Sequence, residues 1–461
     1  MGDIKEKRKL ENEKNYNFIT DGKIIPSMIK LSLPIMISQL MQTLYNLADT
    51  LWVGTLGSNA VASISISFPI VFLMVSIAAG LTIAGTSLIA QYKGAKNEEM
   101  IEQTLGQIVT VVGSLALIIS ITGYLFSSNI IKYMGADSSI IKDSSDYLKI
   151  IFAGMPFMFC FFIFSSSLRG IGDTKTPMKM MVSSVILNII LDPIFIFGFG
   201  FINPLGVKGA ALATIISRAV VTFYAIYILL KGSKGLKLNP LYLKPNKKII
   251  RKIILIGIPS SVEQSMMALG QIFMTSLVAY FGTITVASYG IVNRIVSLPI
   301  ILAFGISTSA TTMVGQNIGA KKEQRAKSIA NISLLTVFIT LSIIGIICIL
   351  DSTKIIMLFN NEKEVLNLGS RYLNISSLTF GFIGLMNVSN GIFKGSGRTI
   401  PPMVISITSL WLFRVFLGFL LSRIFDFEQD GIWYAIALSN IIGAVIAIFW
   451  LRFSNWTKGI I

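Results

Sequence analysis

The sequence predicts an all-α integral membrane protein with twelve transmembrane helices in two six-helix lobes. The composition is the first observation behind this prediction. Of the 461 residues, 53% are hydrophobic and only 13% are charged, whereas soluble domains carry about 25% charged residues. The apolar runs are the second observation, because they are long and continuous rather than alternating, which favours helices over a β-barrel.

Twelve segments are long enough to cross a membrane, since a helix needs about 20 mostly apolar residues to span the hydrocarbon core. The first six predicted spans are 26–54, 61–91, 104–126, 146–168, 177–200 and 206–231. The second six are 251–281, 286–316, 328–350, 371–393, 401–424 and 431–453. We therefore expect a multi-pass protein of the cell membrane, in contact with membrane lipids.

The positive charges predict how these spans are oriented. The chain carries 39 Lys and Arg against 22 Asp and Glu, a formal net charge of +17. If the N-terminus is cytoplasmic and basic residues near the end of a span are counted with the adjoining loop or tail, the N-terminal tail, the even-numbered loops and the C-terminus hold 28 of the 39, and the odd-numbered loops hold 8. Lys and Arg concentrate in cytoplasmic loops, so both termini are expected in the cytoplasm. The surplus charge then sets topology and does not indicate a nucleic-acid partner.

The second half of the chain repeats the first, with each position i matching position i + 225. The matching residues include Pro34 with Pro259, Gln39 with Gln264, Gln91 with Gln316, Gly94-Ala95-Lys96 with Gly319-Ala320-Lys321, and Gly170-Ile171-Gly172 with Gly395-Ser396-Gly397. Each repeat contains an even number of spans, so the two repeats have the same orientation in the membrane. Parallel repeats of this kind occur in secondary transporters that work by alternating access.

The repeat and the basic loop between the halves predict the domain order. Five segments follow along the chain: a cytoplasmic tail at 1–25, an N-lobe at 26–231, a basic cytoplasmic linker at 232–250, a C-lobe at 251–456 and a C-terminal tail at 457–461. The two Gly-rich turns of the repeat lack the strand and lysine of a phosphate loop, so we interpret them as tight turns.

The residue types argue against enzymatic or ATP-driven chemistry. There is no histidine, and the two cysteines, Cys160 and Cys348, lie far apart in apolar stretches. The chain has no P-loop. We therefore expect no cofactor, no metal site and no enzyme activity, and an ion gradient remains as the natural energy source.

Two carboxylates inside the first lobe are the candidate ion-coupling groups. In span one, Gln42, Tyr45, Asn46 and Asp49 are spaced i, i+3, i+4 and i+7, so they share one helical face. In span five, Asn188 and Asp192 are four residues apart, directly before Pro193. Ionisable groups at membrane depth are costly and usually functional. A structural carboxylate that bonds to neighbouring hydroxyls or caps a broken helix is the alternative for each.

A third acid, Glu263 in span seven, has two open interpretations. It could form a second ion or gating site, or it could form a structural pair with Arg294 or Arg414. Arg218 is a further basic residue that lies well inside a predicted span, away from its ends.

The chain resembles the multidrug and toxic compound extrusion (MATE) transporters over about residues 26–455. The motifs that carry this resemblance are Leu33-Pro34-x-x-x-x-Gln39, Asp49-Thr50-x-x-Val53-Gly54-x-x-Gly57, Ala90-Gln91-x-x-Gly94-Ala95, Leu168-Arg169-Gly170-x-Gly172-Asp173-Thr174-x-x-Pro177 and Lys394-Gly395-x-Gly397-Arg398-Thr399. The resemblance implies export of small organic cations or amphipathic compounds against H⁺ or Na⁺, with two lobes around a central cleft.

The resemblance also implies roles for individual residues. It is closer to the DinF-like prokaryotic branch, in which N-lobe carboxylates matching Asp49 and Asp192 couple transport to the ion, with Tyr147 a further candidate. Pro34 corresponds to a hinge at which the first helix bends. Glu263 matches an acid of the NorM branch, but span ten has no acid to complete that Na⁺ site. We therefore expect H⁺ coupling in the N-lobe, in a protein that acts as a monomer.

Three other functions remain as alternatives at this point. A flippase for lipids or lipid-linked oligosaccharides is the nearest, because such relatives line their cleft with arginines, and Arg218, Arg294 and Arg414 could serve that role. A membrane-embedded enzyme would need a catalytic constellation that the sequence lacks. A passive channel would not need two carboxylates inside the spans of one half only.

Overall fold

The computed structural model describes residues 17–200, 202–232 and 234–461, and these residues are almost entirely helical. A single β-bridge joins Phe199 to Ile202. Among the described residues, eleven helices are long and apolar enough to cross a membrane. The predicted fold class is confirmed. Most of the predicted tail at 1–25 lies outside the described residues.

Six long helices form the first half of the chain. They are α1 (Ile24–Gly54), α2 (Ser58–Gly94), α3 (Glu98–Tyr133), α4 (Ile141–Ile171), α5 (Lys175–Phe197) and α6 (Val207–Lys231). A short 3₁₀ turn at Pro240–Leu243 follows. Helices α2, α3 and α4 extend at least three residues beyond the predicted apolar spans at both ends, because polar ends of a membrane helix carry no hydropathy signal. Helix α6 nearly coincides with its predicted span, and α5 ends three residues before residue 200.

The second half has the same order with one helix broken and one partly π-helical. Its helices are α7 (Lys247–Ala279), α8 (Thr283–Gly319), α9 (Glu323–Leu350), α10 (Ser352–Met357), α11 (Lys363–Ser377), α12 (Phe380–Gly395), α13 (Ile400–Ile424) and α14 (Glu428–Phe453). Helix α13 is π-helical at Thr408–Phe416 and again at Leu420–Ile424.

The sequence repeat is reproduced in the helix ends. Helices α2 and α8 both have 37 residues. Each begins directly after a glycine with positive φ, 103° at Gly57 and 93° at Gly282. Each is followed by a lysine with positive φ, 55° at Lys96 and 59° at Lys321. An L-residue rarely adopts that backbone conformation, so the shared geometry shows that equivalent turns form in both halves.

One side-chain contact is also repeated. The Thr86 hydroxyl donates to the carbonyl of Ser166 at 3.0 Å, and the Thr311 hydroxyl donates to the carbonyl of Gly391 at 2.8 Å. Thr311 and Gly391 are the repeat equivalents of Thr86 and Ser166. The two halves therefore pack their second and fourth predicted spans against each other in the same way.

Predicted span ten, at 371–393, is divided into two helices. Helix α11 ends at Ser377 and α12 begins at Phe380. At the break, the amide and the hydroxyl of Thr379 both donate to the carbonyl of Ser376, at 2.9 and 2.8 Å. The Thr379 amide thus bonds to the carbonyl three residues earlier and not to the one four residues earlier, as it would in an α-helix. Competition by a hydroxyl side chain for a backbone carbonyl does not change the hydropathy of the segment, so hydropathy cannot predict the break.

Contacts divide the chain into two compact units. One contains Ile37–Gly257, and the other contains Ile19–Met36 and Ile258–Ile461. Helix α1 is therefore shared: its residues after Met36 pack in the first unit, and its earlier residues pack in the second. The Ser309 hydroxyl, for example, donates to the carbonyl of Met28 at 3.2 Å. Helix α7 is divided in the same manner after Gly257.

The residues before α1 are anchored within the second unit. Lys322 donates to the Asp21 carboxylate at 2.6 Å, and this bond holds the pKa of Asp21 below its usual value. Arg325 donates to the carbonyls of Ile19 and Gly22, and the Asn317 amide also donates to Ile19. The start of α1 is thereby tied to the turn between α8 and α9.

The basic linker is bound to α3 within the first unit. The buried amide of Gln107 donates to the carbonyls of Tyr242 and Lys244, at 2.6 and 2.8 Å, and its oxygen accepts from the Asn246 amide at 2.8 Å. Thr110 donates to the carbonyl of Leu243 at 2.9 Å. The residues directly before α7 are therefore an ordered part of the unit.

Candidate functional site

Helix α1 presents the polar face that the spacing predicts. The Gln42 amide donates to the side-chain oxygen of Asn46 at 3.2 Å. Tyr45 is buried, Asn46 is exposed, and Asp49 is half-buried with one carboxyl oxygen out of solvent. That oxygen, Oδ1 of Asp49, has no hydrogen-bond partner. The face therefore offers an open acceptor at its C-terminal end.

Helix α5 places its two polar residues side by side in the interior of the first unit. Asn188 and Asp192 are both fully buried. The Asn188 amide donates to Asp192 Oδ1 at 3.0 Å, while Asp192 Oδ2 and the Asn188 side-chain oxygen lack partners. The helix continues through Pro193 to Phe197, so Asp192 does not cap a broken helix end. A buried polar atom without a partner is costly, and these two oxygens remain available as acceptors.

The fold brings the two carboxylates together although they lie on different helices, α1 and α5, far apart in the sequence. Electrostatic interaction links the Asp49 and Asp192 carboxyl groups. Tyr147 on α4, also buried, interacts electrostatically with both of them and with Tyr45. The structure therefore gathers Asp49, Asp192, Asn188, Tyr45 and Tyr147 in one place inside the first unit, contributed by three helices.

Helix α6 contributes two residues that the sequence reasoning did not assign to this place. The Tyr45 hydroxyl donates to Thr214 Oγ1 at 2.7 Å. The Arg218 guanidinium donates to Gln42 Oε1 at 2.8 Å and to the Met181 sulfur at 3.2 Å. It also lies over the Tyr45 ring, 5.2 Å from the centroid. Helix α6 thus holds the polar face of α1 at two points.

The two missed residues differ in how well they could have been found. The sequence shows Arg218 as a basic residue inside an apolar span, but it does not show which residues of other helices Arg218 contacts. Thr214 had no sequence signal at all, because a single threonine is common in membrane helices and bonds to its own backbone without consequence. Four residues separate them, so they lie on one face of α6.

Glu263 on α7 has a different partner from those considered. Its carboxylate accepts from Lys394 Nζ at 2.9 Å and from the Ser406 hydroxyl at 3.3 Å. Arg414 instead donates to Ser439 and Asn440, and Arg294 is exposed. The interpretation that pairs Glu263 with Arg294 or Arg414 is therefore wrong. Lys394 directly follows predicted span ten, which ends at residue 393, so the sequence places it in a cytoplasmic loop and does not indicate that it pairs with Glu263.

Both halves of the chain match one known protein family. The family model described as MatE matches residues 34–194 and 259–420. The chain belongs to the MATE family. MATE proteins are transporters and do not form an enzyme class, so the expectation of a transporter is confirmed. The two matches begin at Pro34 and Pro259, which are equivalent positions of the internal repeat.

Individual MATE relatives agree over nearly the whole length. The chain is 32% identical over 433 residues to the "Probable multidrug resistance protein YoeA" of Bacillus subtilis (strain 168), covering 90% of this chain and 92% of that protein. It is 28% identical to YpnP of the same strain, also named a probable multidrug resistance protein, over 96% of this chain and 98% of that protein.

A solved structure shows the same fold. The crystal structure titled "MATE in the straight conformation" superimposes with a TM-score of 0.89 at 26% identity, covering 96% of this chain and 99% of that one. The all-helical membrane architecture with two repeated halves is thus shared with a MATE transporter along the full chain.

Proposed function

We propose that this MATE protein is a secondary active multidrug exporter. It exchanges small organic cations or amphipathic compounds for an inward ion by alternating access. The names of the relatives, which describe multidrug resistance proteins, support the substrate class. The transporter would act as a monomer in the cell membrane among its lipids, with both termini in the cytoplasm, and it would need no cofactor besides the coupling ion.

The observation that carries the coupling mechanism is that the Asp49 and Asp192 carboxyl groups lie close enough to interact electrostatically. Each has a buried carboxyl oxygen without a hydrogen-bond partner, and the two groups repel each other electrostatically when both are ionised. A proton, a metal cation or an organic cation relieves that repulsion. All of them use the same carboxyl lone pairs, so binding of the ion and of the drug exclude each other, which is the requirement for exchange.

The surrounding residues have distinct roles in this proposal. Asn188 orients Asp192 by its hydrogen bond and leaves the second carboxyl oxygen open. Tyr147 and Tyr45 flank the carboxylates, and Tyr45 ties α1 to Thr214. Gln42 and Asn46 continue the polar face of α1. The face supplies polar contacts along the path of a substrate.

We propose H⁺ rather than Na⁺ as the coupling ion. Sodium prefers several oxygen ligands, whereas Asp49, Asp192 and Asn188 together present three buried side-chain oxygens without a partner. In the second unit the Glu263 carboxylate already holds the Lys394 ammonium, which occupies the place a metal cation would need. Protonation of a carboxylate requires a single open oxygen, which both Asp49 and Asp192 provide.

Transport by purified protein in liposomes tests the proposal. Uphill movement of ethidium is measured under a pure proton gradient and, separately, under a pure sodium gradient. We expect transport with the proton gradient, and loss of at least about 90% of it in Asp49→Asn and in Asp192→Asn. Asp137→Asn changes an exposed loop acid and serves as the matched control with normal transport.

Two results would contradict this proposal. If Asp49→Asn or Asp192→Asn exported ethidium at the wild-type rate, that carboxylate would not couple transport. If a sodium gradient drove uphill transport without a proton gradient, the coupling ion would be Na⁺. Circular dichroism and gel filtration of each variant establish that the fold is intact.

A further inference from the structure

Arg218 places a positive charge on the same polar face of α1 as the carboxylates, without pairing with them. The residue is only 6% exposed, and a buried guanidinium normally pairs with a carboxylate. Here its partners are the neutral Gln42 amide oxygen and the Met181 sulfur, and its charge lies over the rings of Tyr45 and Phe161. No carboxylate among the described residues bonds to it. Such an expensive arrangement inside a span points to a role in ligand binding.

The positive and negative charges lie at opposite ends of one polar face. Arg218 bonds to Gln42, and the carboxylates gather at Asp49, seven residues later on the same face of α1. Seven residues of an α-helix rise by about 10 Å. Tyr45 lies between the two ends of this face: the Arg218 guanidinium lies over its ring, and Tyr45 interacts electrostatically with Asp49. The face is therefore bipolar along its length.

The guanidinium can accept a better partner than those it has. A thioether sulfur is a weak hydrogen-bond acceptor, so the N–H of Arg218 that points to Met181 gains by exchanging it for an anionic oxygen. The Gln42 contact can persist at the same time, because it uses the other terminal nitrogen. A ligand carboxylate could therefore bind Arg218 without breaking the link between α6 and α1.

We propose that Arg218 is a specificity-determining residue that selects substrates by the charge at the end that lies away from Asp49 and Asp192. This inference rests on the proposed export function and defines its substrate class. A substrate cation binds the carboxylates, and Arg218 meets the group about 10 Å away along the helix. An anionic group there is attracted, a neutral group is tolerated, and a second cation is repelled. The preferred substrates are zwitterions and monocations, and dications are excluded.

The test uses three probes that share one cationic head and one spacer of about 10 Å, the distance spanned by seven helical residues. All three carry a trimethylammonium group on a linear alkyl chain. The far end is a methyl group in the monocation, a second trimethylammonium in the dication and a carboxylate in the zwitterion. Radiolabelled uptake of each probe is measured in proteoliposomes that contain wild-type protein, Arg218→Met or Arg218→Lys.

The expected result is a change in the order of preference and not a general loss. Wild-type protein transports the zwitterion and the monocation better than the dication. In Arg218→Met the ratio of dication to monocation transport rises by at least about tenfold, and the ratio of zwitterion to monocation falls, because the far-end charge is no longer read. Arg218→Lys keeps the wild-type order, since it keeps the charge.

The same measurements distinguish failure of this inference from failure of the proposed export function. Wild-type protein that moves none of the probes under any ion gradient would overturn the export function, and the inference with it. Normal monocation transport with unchanged ratios in Arg218→Met would overturn the inference alone. If Arg218→Met folds poorly, displacement of a bound fluorescent monocation from the wild-type protein provides the test. If the dication displaces this monocation as effectively as the zwitterion does, Arg218 does not have the proposed role.

Discussion

Glu263 and Lys394 form a buried ion pair in the second half of the chain, and they differ in this from Asp49 and Asp192 in the first half. The side chain of Glu263 is 3% exposed and that of Lys394 is 13% exposed. The Asn390 amide bonds to Ser406, which in turn donates to the glutamate. All three carboxyl groups have one buried oxygen without a hydrogen-bond partner, but Lys394 compensates the charge of Glu263, whereas no cation bonds to Asp49 or Asp192 among the described residues.

At this scale we predict that Glu263→Gln impairs transport less than Asp49→Asn. Lys394→Met should instead lower the free energy of unfolding by about 3 kcal/mol, because it leaves a buried carboxylate without its cation. Thermal unfolding in detergent and ethidium transport measure the two effects. The double variant, Glu263→Gln with Lys394→Met, should regain most of the lost stability. Equal loss of transport in Glu263→Gln and Asp49→Asn would place coupling in the second half.

Helix α1 is the element that both compact units share. Contacts assign its residues up to Met36 to one unit and those from Ile37 to the other. Pro34 lies inside the helix, just before that division. Proline removes a backbone donor and allows a helix to bend at its position. The polar face with Asp49 follows Pro34 in the chain, and the bond between Asp21 and Lys322 precedes it.

We therefore predict that Pro34→Ala slows transport by roughly tenfold while the thermal stability is unchanged or slightly higher. Alanine restores the helical hydrogen bond and removes the flexible point. Initial rates of ethidium transport and melting temperatures in detergent measure both effects. Pro69→Ala is the matched control, because Pro69 lies in α2, whose residues all belong to one unit. Wild-type rates in Pro34→Ala would show that no hinge at Pro34 is needed.

On the scale of the whole molecule, the two halves have the same order of helices and the same turns but carry different polar side chains. The repeat equivalents of Asp49 and Asp192 are Met274 and Leu417. The equivalent of Thr214 is Ser439, which binds Arg414 instead of a tyrosine. Repeated backbone geometry follows from repeated Gly and Pro positions, whereas the carboxylate group exists in one half only. The repeat is therefore a property of the backbone of both halves, whereas the carboxylate group that we propose for ion coupling lies in the first half only.

The topology yields a prediction at the same scale. In a background in which Cys160 and Cys348 are changed to Ala, the variants Ser138→Cys and Lys237→Cys each place a thiol in an exposed loop. A membrane-impermeant maleimide should label Ser138→Cys in intact cells and Lys237→Cys only after permeabilisation, because the basic linker is expected in the cytoplasm. The reverse labelling pattern would invert the predicted orientation.

The candidate site could be predicted in part because helical spacing is a local property. Asp49 with Gln42, Tyr45 and Asn46 followed from the periodicity of one helix, and Asn188 with Asp192 from that of another. The role of Tyr147 came from family resemblance alone. Arg218 and Thr214 could not be placed, because no periodicity within α6 indicates which face meets α1. The break at Leu378 and Thr379 was missed for a similar reason, since hydropathy does not register a hydroxyl that competes for backbone carbonyls.

The sequence by itself determined the membrane class, the predicted spans, the repeat and the two carboxylates that interrupt apolar helices. These properties follow from hydrophobicity and spacing along the chain, which need no knowledge of neighbours. Only the tertiary structure decided that Asp49 meets Asp192, that Arg218 binds Gln42 and that Glu263 binds Lys394. Those pairings depend on how helices pack, and residues on helices so far apart in the chain carry no local signal of their contact.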